Sequence, residues 1–272
     1  MVRLPAVAGR FYPAEREALS SAVAEFLQNA PPKTRAVGIV VPHAGYIYSG
    51  AVAGAVYART WLPSRSIILC PNHTGLGKPL AMMRQGAWRT PLGDLQIDTE
   101  MCDALMQSDS DLEDDAAAHK YEHALEVQLP FLQYLQGSEH RFVPIVVGTN
   151  NFGVLSALGE AIAETILRVD RSTLIIASSD MNHYESDTIT RTKDSRAIDR
   201  ILNRDAKGLW QTVREEKISM CGVGPVTSML VAGNLLQAKN AKLVRYATSA
   251  ETSGDFERVV GYAGVTLEGP GE

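Results

Sequence analysis

Three histidines follow short runs of apolar, β-branched residues. His43 sits in Pro42-His43-Ala44-Gly45-Tyr46-Ile47-Tyr48-Ser49-Gly50, His73 in Pro71-Asn72-His73-Thr74-Gly75, and His183 in Ser178-Ser179-Asp180-Met181-Asn182-His183. Imidazoles brought to one edge from separate loops suit a first-row transition metal, because neutral nitrogen donors match iron, copper, nickel or zinc better than magnesium or calcium. Cys221, in Ser219-Met220-Cys221-Gly222-Val223-Gly224-Pro225, is the candidate third donor. Pro225 suits the first residue of a helix, and a thiol near a helix N-terminus feels the positive end of the dipole, which favours the metal-binding thiolate. Asp180 and His183 are candidates for proton handling, with Asp180 orienting an imidazole. Each residue also has a plain structural role open to it: a hydrogen-bonded turn for a histidine, a small buried side chain for Cys221, a cap for Asp180.

Two rival chemistries use the same residue types. His119-Lys120-Tyr121-Glu122-His123 matches H-x-x-E-H, in which two histidines on a helix bind zinc and the glutamate acts as base. The alternative for that stretch is the start of an amphipathic helix with Leu125, Leu129 and Leu132 on its apolar side and His123 and Glu126 on neighbouring positions of one face, with Pro130 set to kink it. A Cys221–His183–Asp180 hydrolase is the second rival, and it leaves His43 and His73 without a role.

The elements that must position these residues are legible as alternating patterns. Ala36 to Val41, Ser66 to Cys70, Phe142 to Val147 and Thr173 to Ala177 are continuous apolar runs of the kind that form buried strands. Helical stripes fall at 13–29, stopped by Pro31-Pro32, and at 50–60, 100–107, 122–136, 154–168, 188–203 and 225–238. The pattern predicts an α/β fold of three layers, a central, mostly parallel mixed sheet with helices on both faces. Two late strands, near Lys242 to Ala247 and Arg258 to Leu267, have a short connection and therefore pair antiparallel. Ligands in open α/β sheets bind beyond the carboxyl ends of the strands, where the histidine loops lie.

The chain has 272 residues, 45% of them hydrophobic, and a formal net charge of −5. That length and composition are read as one domain spanning 1–272. The negative charge and scattered Lys and Arg leave no footprint for phosphate backbones or anionic lipid, so nucleic acid and membrane surfaces are not expected partners. The first ten residues hold too short an apolar stretch for a signal peptide, and no window nears the roughly 18 apolar residues of a membrane span, so a cytoplasmic protein is expected. Three cysteines, Cys70, Cys102 and Cys221, with no CxxC pair indicate neither a disulfide framework nor a zinc knuckle.

Taken together, the strings around His43, His73 and Asp180, the string Glu122-His123-Ala124-Leu125-Glu126-Val127-Gln128-Leu129-Pro130-Phe131, and Cys221-Gly222 resemble the Memo family, known in bacteria and archaea as AmmeMemoRadiSam system protein B. The resemblance runs from Gly9-Arg10-Phe11-Tyr12-Pro13 to Gly261-Tyr262-Ala263-Gly264. It implies a fold like the class III extradiol dioxygenases, which hold non-haem Fe(II) with two histidines and a glutamate. It also implies His43, His73 and Cys221 as metal ligands, with Asp180, His183 and His123 as the acid–base residues of the pocket, and iron or copper as the metal. An Ammecr-type protein and a radical SAM enzyme are the partners it implies. The chain departs from the animal members, which have two adjacent histidines where it has His73-Thr74. Cys221 stands where the dioxygenases have a carboxylate, and a softer thiolate favours copper or thiol redox chemistry.

Two functions follow as expectations. One is a metal-dependent oxidoreductase acting on a small molecule, aromatic or phenolic if Tyr12, Tyr46, Tyr48 and Tyr184 line the pocket. The alternative is a non-catalytic module that binds a ligand or protein in the same pocket.

Overall fold

In the computed structural model, which describes residues 1–28, 32–109 and 111–269, each continuous apolar run becomes a strand. The chain opens with β1 (Val2–Arg3) and α1 (Arg16–Phe26), and the first run forms β2 (Ala36–Val41). Pro31, expected with Pro32 to stop the first helix, lies outside the described residues; α1 itself ends at Phe26. Next come α2 (Tyr46–Arg59) and β3 (Arg65–Pro71), then β4 (Leu80–Met82), β5 (Ala87–Thr90), β6 (Gly93–Ile97), α3 (Thr99–Ser108) and β7 (Glu113–Asp114). Then follow α4 (Leu129–Gln136), β8 (Arg141–Val147), α5 (Phe152–Val169), β9 (Leu174–Ser178), β10 (His183–Glu185), α6 (Asp187–Leu202), α7 (Ala206–Glu215) and α8 (Val223–Leu235). The last elements are β11 (Asn240–Thr248), α9 (Ala250–Ser253) and β12 (Val259–Glu268).

The strands join one mixed sheet in the order β1-β5-β6-β8-β3-β9-β2-β12-β10, with β11 paired to β12 and β4 to β7 and β8. From β6 through β8, β3 and β9 to β2 every neighbour is parallel. Both faces of these strands are covered, so their side chains are apolar without alternation: Ile67, Ile68 and Leu69 of β3 are all fully buried. As expected from their short connection, β11 and β12 pair antiparallel, and β12 continues antiparallel onto β2.

Helices flank the sheet. α5 packs on α8, and α8 on β2, β3 and β9, while α2 packs with α1 and against β2, β11 and β12. In α5, Leu155, Leu158, Ile162 and Ile166 are buried on one stripe, and the Asn151 side chain caps the helix by accepting from the N–H groups of Gly153 and Val154. No helix among the described residues is long and apolar enough to cross a membrane.

The stretch before α4 differs from the helix expected over 122–136. Ala116 to Leu125 runs through turns and bends, and only a 3-10 turn at Glu126–Gln128 precedes α4. Pro130 therefore kinks nothing. It lies in the first turn of α4, where its missing N–H has no intrahelical partner to lose.

Candidate metal centre

β3, β9 and β2 are adjacent and parallel, so residues leaving their carboxyl ends converge. His43, His73 and Asp180 each lie two positions beyond the last residue of their strand. The third imidazole beside His43 and His73 is His123, delivered by the turn-rich stretch before α4. Its ring stacks on that of His73 at 4.7 Å, and His43 meets the two edge-on at 5.1 and 5.6 Å. One ring nitrogen from each of these three histidines lies within 4.8 Å of the others, a spacing that admits a metal ion.

His43 is held in one tautomer by a buried chain of hydrogen bonds. The Ser178 hydroxyl donates its only proton to the carbonyl of Ala124 at 2.6 Å and accepts from the Gln128 amide at 2.9 Å. It can therefore only accept from His43 Nδ1, 3.0 Å away, so Nδ1 carries the proton and the Nε2 lone pair faces the site. Gln128 is fixed in turn, donating to the carbonyl of Pro42 and accepting from the Tyr57 hydroxyl. Burial, and then the neighbouring His73 and His123, hold the His43 pKa well below its ordinary value, which keeps the ring neutral.

His73 is held by a carboxylate instead. Glu122, fully buried, accepts from His73 Nδ1 at 2.9 Å and from the His73 backbone N–H at 2.6 Å, and also from the backbone N–H groups of His123 and Ala124. Burial alone would raise the Glu122 carboxyl. The hydrogen bond and charge of His73, with those backbone donors, outweigh it and bring the pKa down to about 2. The His73 pKa moves up: burial lowers it, and the Glu122 hydrogen bond and charge more than offset that. The His123 Nδ1 stands 3.4 Å from the same Glu122 oxygen, a looser contact than that of His73, and burial lowers its pKa against the pull of that carboxylate.

Cys221 reaches the same space from the loop before α8. Its Sγ lies 3.2 Å from His43 Nε2 and accepts the backbone N–H of Asp180 at 3.3 Å. This approach requires Gly222: a Cβ there would stand 2.4 Å from Ser179 Cβ and 2.5 Å from the Ser178 carbonyl oxygen. The thiolate expected from the helix N-terminus is not what the site favours without metal. Burial, joined by the Asp180 carboxylate, pushes the Cys221 thiol well above its usual range, so the S–H donates to His43 Nε2.

Asp180 accepts the backbone N–H of His43 at 2.8 Å and brings its other oxygen to 4.0 Å from His43 Nε2. Burial raises the Asp180 carboxyl and lowers His43, so this approach joins two groups driven toward their neutral forms rather than an ion pair. His183 stands at the rim, its Nδ1 donating to the carbonyl of Ser219 at 2.9 Å. That bond leaves Nε2 free and means that Ser219, not Asp180, orients the His183 ring. Asn182 supports the arrangement by accepting from both the backbone and the hydroxyl of Ser219.

The rival chemistries lose their geometry. His119 and His123 share no helical face, and the fully buried His119 ring packs edge-on to Trp88 at 5.7 Å. Cys221 contacts His43 rather than His183, so no Cys–His–Asp relay forms. Of the four tyrosines, Tyr12 and Tyr46 are buried in the structure, donating to Glu126 and to the Val127 carbonyl, while Tyr48 and Tyr184 are exposed. Ser178, Gln128 and Glu122 are the site residues that sequence reasoning missed. Glu122, a carboxylate directly before a site histidine, was the available signal, since ligand imidazoles are commonly oriented by carboxylates.

The chain matches the family model described as Memo-like protein over residues 3–266. It is 43% identical over 280 residues to a MEMO1 family protein of Methanopyrus kandleri, covering 98% of this chain and 99% of that one. A MEMO1 family protein of Ignicoccus hospitalis is likewise 43% identical, over 284 residues, with 99% and 100% coverage. One from Methanosarcina acetivorans is 40% identical over 268 residues, with 98% and 99% coverage. With a match that spans the strands, the histidine loops and the Cys221 turn alike, the chain belongs to the Memo-like family.

Proposed function

We propose that this protein holds iron or copper on His43 Nε2, His73 Nε2 and Cys221 Sγ, and that the site carries out redox chemistry on a small aromatic or phenolic molecule. The observation that carries this reading is the pair of ring hydrogen bonds, the buried one from His43 Nδ1 to Ser178 and the half-buried one from His73 Nδ1 to Glu122, which turn the two Nε2 atoms toward one space. Metal-bound imidazoles nearly always donate their second ring N–H in this way. His43 and Cys221 fit as a donor pair: tetrahedral Zn–N and Zn–S distances put nitrogen and sulfur about 3.5 Å apart, close to the 3.2 Å between His43 Nε2 and Cys221 Sγ, while the three donors within 4.8 Å of one another are His43, His73 and His123. Two imidazoles and a sulfur are donors suited to soft or borderline redox metals.

His123 has a different role in this proposal. Its ring is held more loosely than that of His73, with Nδ1 3.4 Å from Glu122, and with a lowered pKa and a place against His73 it is suited to take up and release a proton. His183, with Nε2 free, and Asp180, its carboxyl raised by burial, complete the proton-handling groups. When bound, the metal supplies Lewis acidity and a one-electron couple. The exposed Tyr184 ring, 5.6 Å from that of His183 at the rim, supports an aromatic ligand.

Metal analysis of anaerobically purified protein tests the proposal. Near-stoichiometric iron or copper in the wild type, lost in His43→Ala, is the expected result. A folded wild type that neither carries nor takes up either metal would overturn it, and would favour a module that binds ligands without chemistry.

A further inference from the structure

We infer that Arg3 and Glu126 are positioning residues for the His73–His123 half of the metal centre, and that the segment from Val2 to Tyr12 is a strap whose seating shapes the Glu122 turn. This inference rests on the metal-site reading for its consequence, though not for its geometry.

Arg3 is 7% exposed and binds three points of one turn at once. Its Nε donates to the carbonyl of His119 at 3.0 Å, one terminal nitrogen to the carbonyl of Glu122 at 2.7 Å, and the other to the Glu126 carboxylate. The guanidinium also lies over the Trp88 ring at 4.1 Å, so its plane is fixed. Glu126, fully buried, draws the rest of the strap in by accepting the backbone N–H groups of Ala6 and Val7 and the Tyr12 hydroxyl. Neither side chain hydrogen-bonds to His43, His73, His123 or Cys221, although the Glu126 charge is felt at His123.

Their link to the site runs through Glu122. Arg3 holds the backbone carbonyl of the residue whose carboxylate holds the ring and backbone of His73 and the backbone of His123. Phe11, also in the strap, sets its ring edge-on to His123 at 4.8 Å. The His43 ring is tied to this stretch only at one remove: Ser178, which holds it, stands on β9, donates to the Ala124 carbonyl and accepts from Gln128. The strap therefore bears on His73 and His123 directly through Glu122, and on His43 only through Ser178 at the end of β9.

A lysine cannot reproduce the grip, because a single ammonium lacks the planar fork that spans two carbonyls and a carboxylate. Metal-free Arg3→Lys and Glu126→Gln proteins, compared with wild type by long-range proton–nitrogen NMR of the imidazoles, provide the test; Glu126→Gln keeps the shape should Arg3→Lys fail to fold. The expected result is a shifted or broadened His73 Nδ1–H signal beside a clearly smaller change at His43 Nδ1–H, followed by a Co(II) Kd raised about 10- to 100-fold. A His73 signal that stays in place in a folded variant, or a His43 signal that moves as far, overturns the inference, since a merely structural role loosens both halves or neither. Failure of the wild type to bind metal counts against the metal-site reading alone, because the NMR comparison needs no metal.

Discussion

The Glu122 carboxylate receives His73 twice, from the ring at 2.9 Å and from the backbone N–H at 2.6 Å, with no exposure to solvent. A buried carboxylate in that position has to be charged to be worth its burial, and its pKa of about 2 shows that the donors around it win.

Acid stability should reveal this pair. The folded pKa of Glu122 is depressed, so its stabilisation is complete above the unfolded value of about 4.3 and is lost as pH falls from there toward 2. A shift of that size is about 3 kcal/mol at most. Urea unfolding at pH 6 and pH 3 should show the wild type losing about 1.5–2 kcal/mol more on acidification than Glu122→Gln, the rest being lost below pH 3. Equal losses would mean that the pair does not form.

Ser178 makes a second, independent claim on the site. Ser178→Ala removes the acceptor of His43 Nδ1–H and leaves a buried Gln128 amide proton short of a partner. The cost to folding should be about 1–3 kcal/mol. Metal affinity should fall about 10- to 100-fold as the tautomer is released. Competition against a chromophoric chelator measures the second effect, and undiminished affinity would show that the tautomer is fixed by other means.

Gly222 is the tight point of the Cys221 loop. An added methyl in Gly222→Ala meets Ser179 and the Ser178 carbonyl and forces the loop away from β9. Overpacking of this kind costs about 1–3 kcal/mol. Alkylation of Cys221 by iodoacetamide should be faster in the variant than in wild type, followed by mass spectrometry of the Cys221 peptide. An unchanged rate would mean that the loop absorbs the methyl without moving the sulfur.

The central strands were legible because both of their faces are covered, and so were the loops that carry His43, His73 and Asp180, since strand ends are where an open sheet presents ligands. The short strands from Leu80 to Asp114 were not, because runs as brief as Leu80–Met82 and Glu113–Asp114 carry no usable period. The helix Ala206–Glu215 also escaped, though its Asp205 cap, which accepts from the N–H of Gly208, is a sequence signal of the usual kind. The stretch around His123 was misread as helix because Leu125, Leu129 and Leu132 keep a helical spacing. There a local turn closed on the Glu122 carboxylate and the tertiary hydrogen bond from Arg3 decide the backbone, and periodicity cannot report them. Burial of Cys221, which raises its thiol in the metal-free protein against the pull of the helix N-terminus, is likewise a property of the assembled site that spacing does not carry.

X-ray absorption at the metal edge of the loaded protein, wild type beside Cys221→Ser, tests the central claim most directly. The account predicts one sulfur at about 2.3 Å and imidazole nitrogens at about 2.0–2.1 Å in wild type, with the sulfur gone in the variant. A shell of nitrogen and oxygen alone, identical in both proteins, would contradict it and leave the metal to His43, His73 and His123.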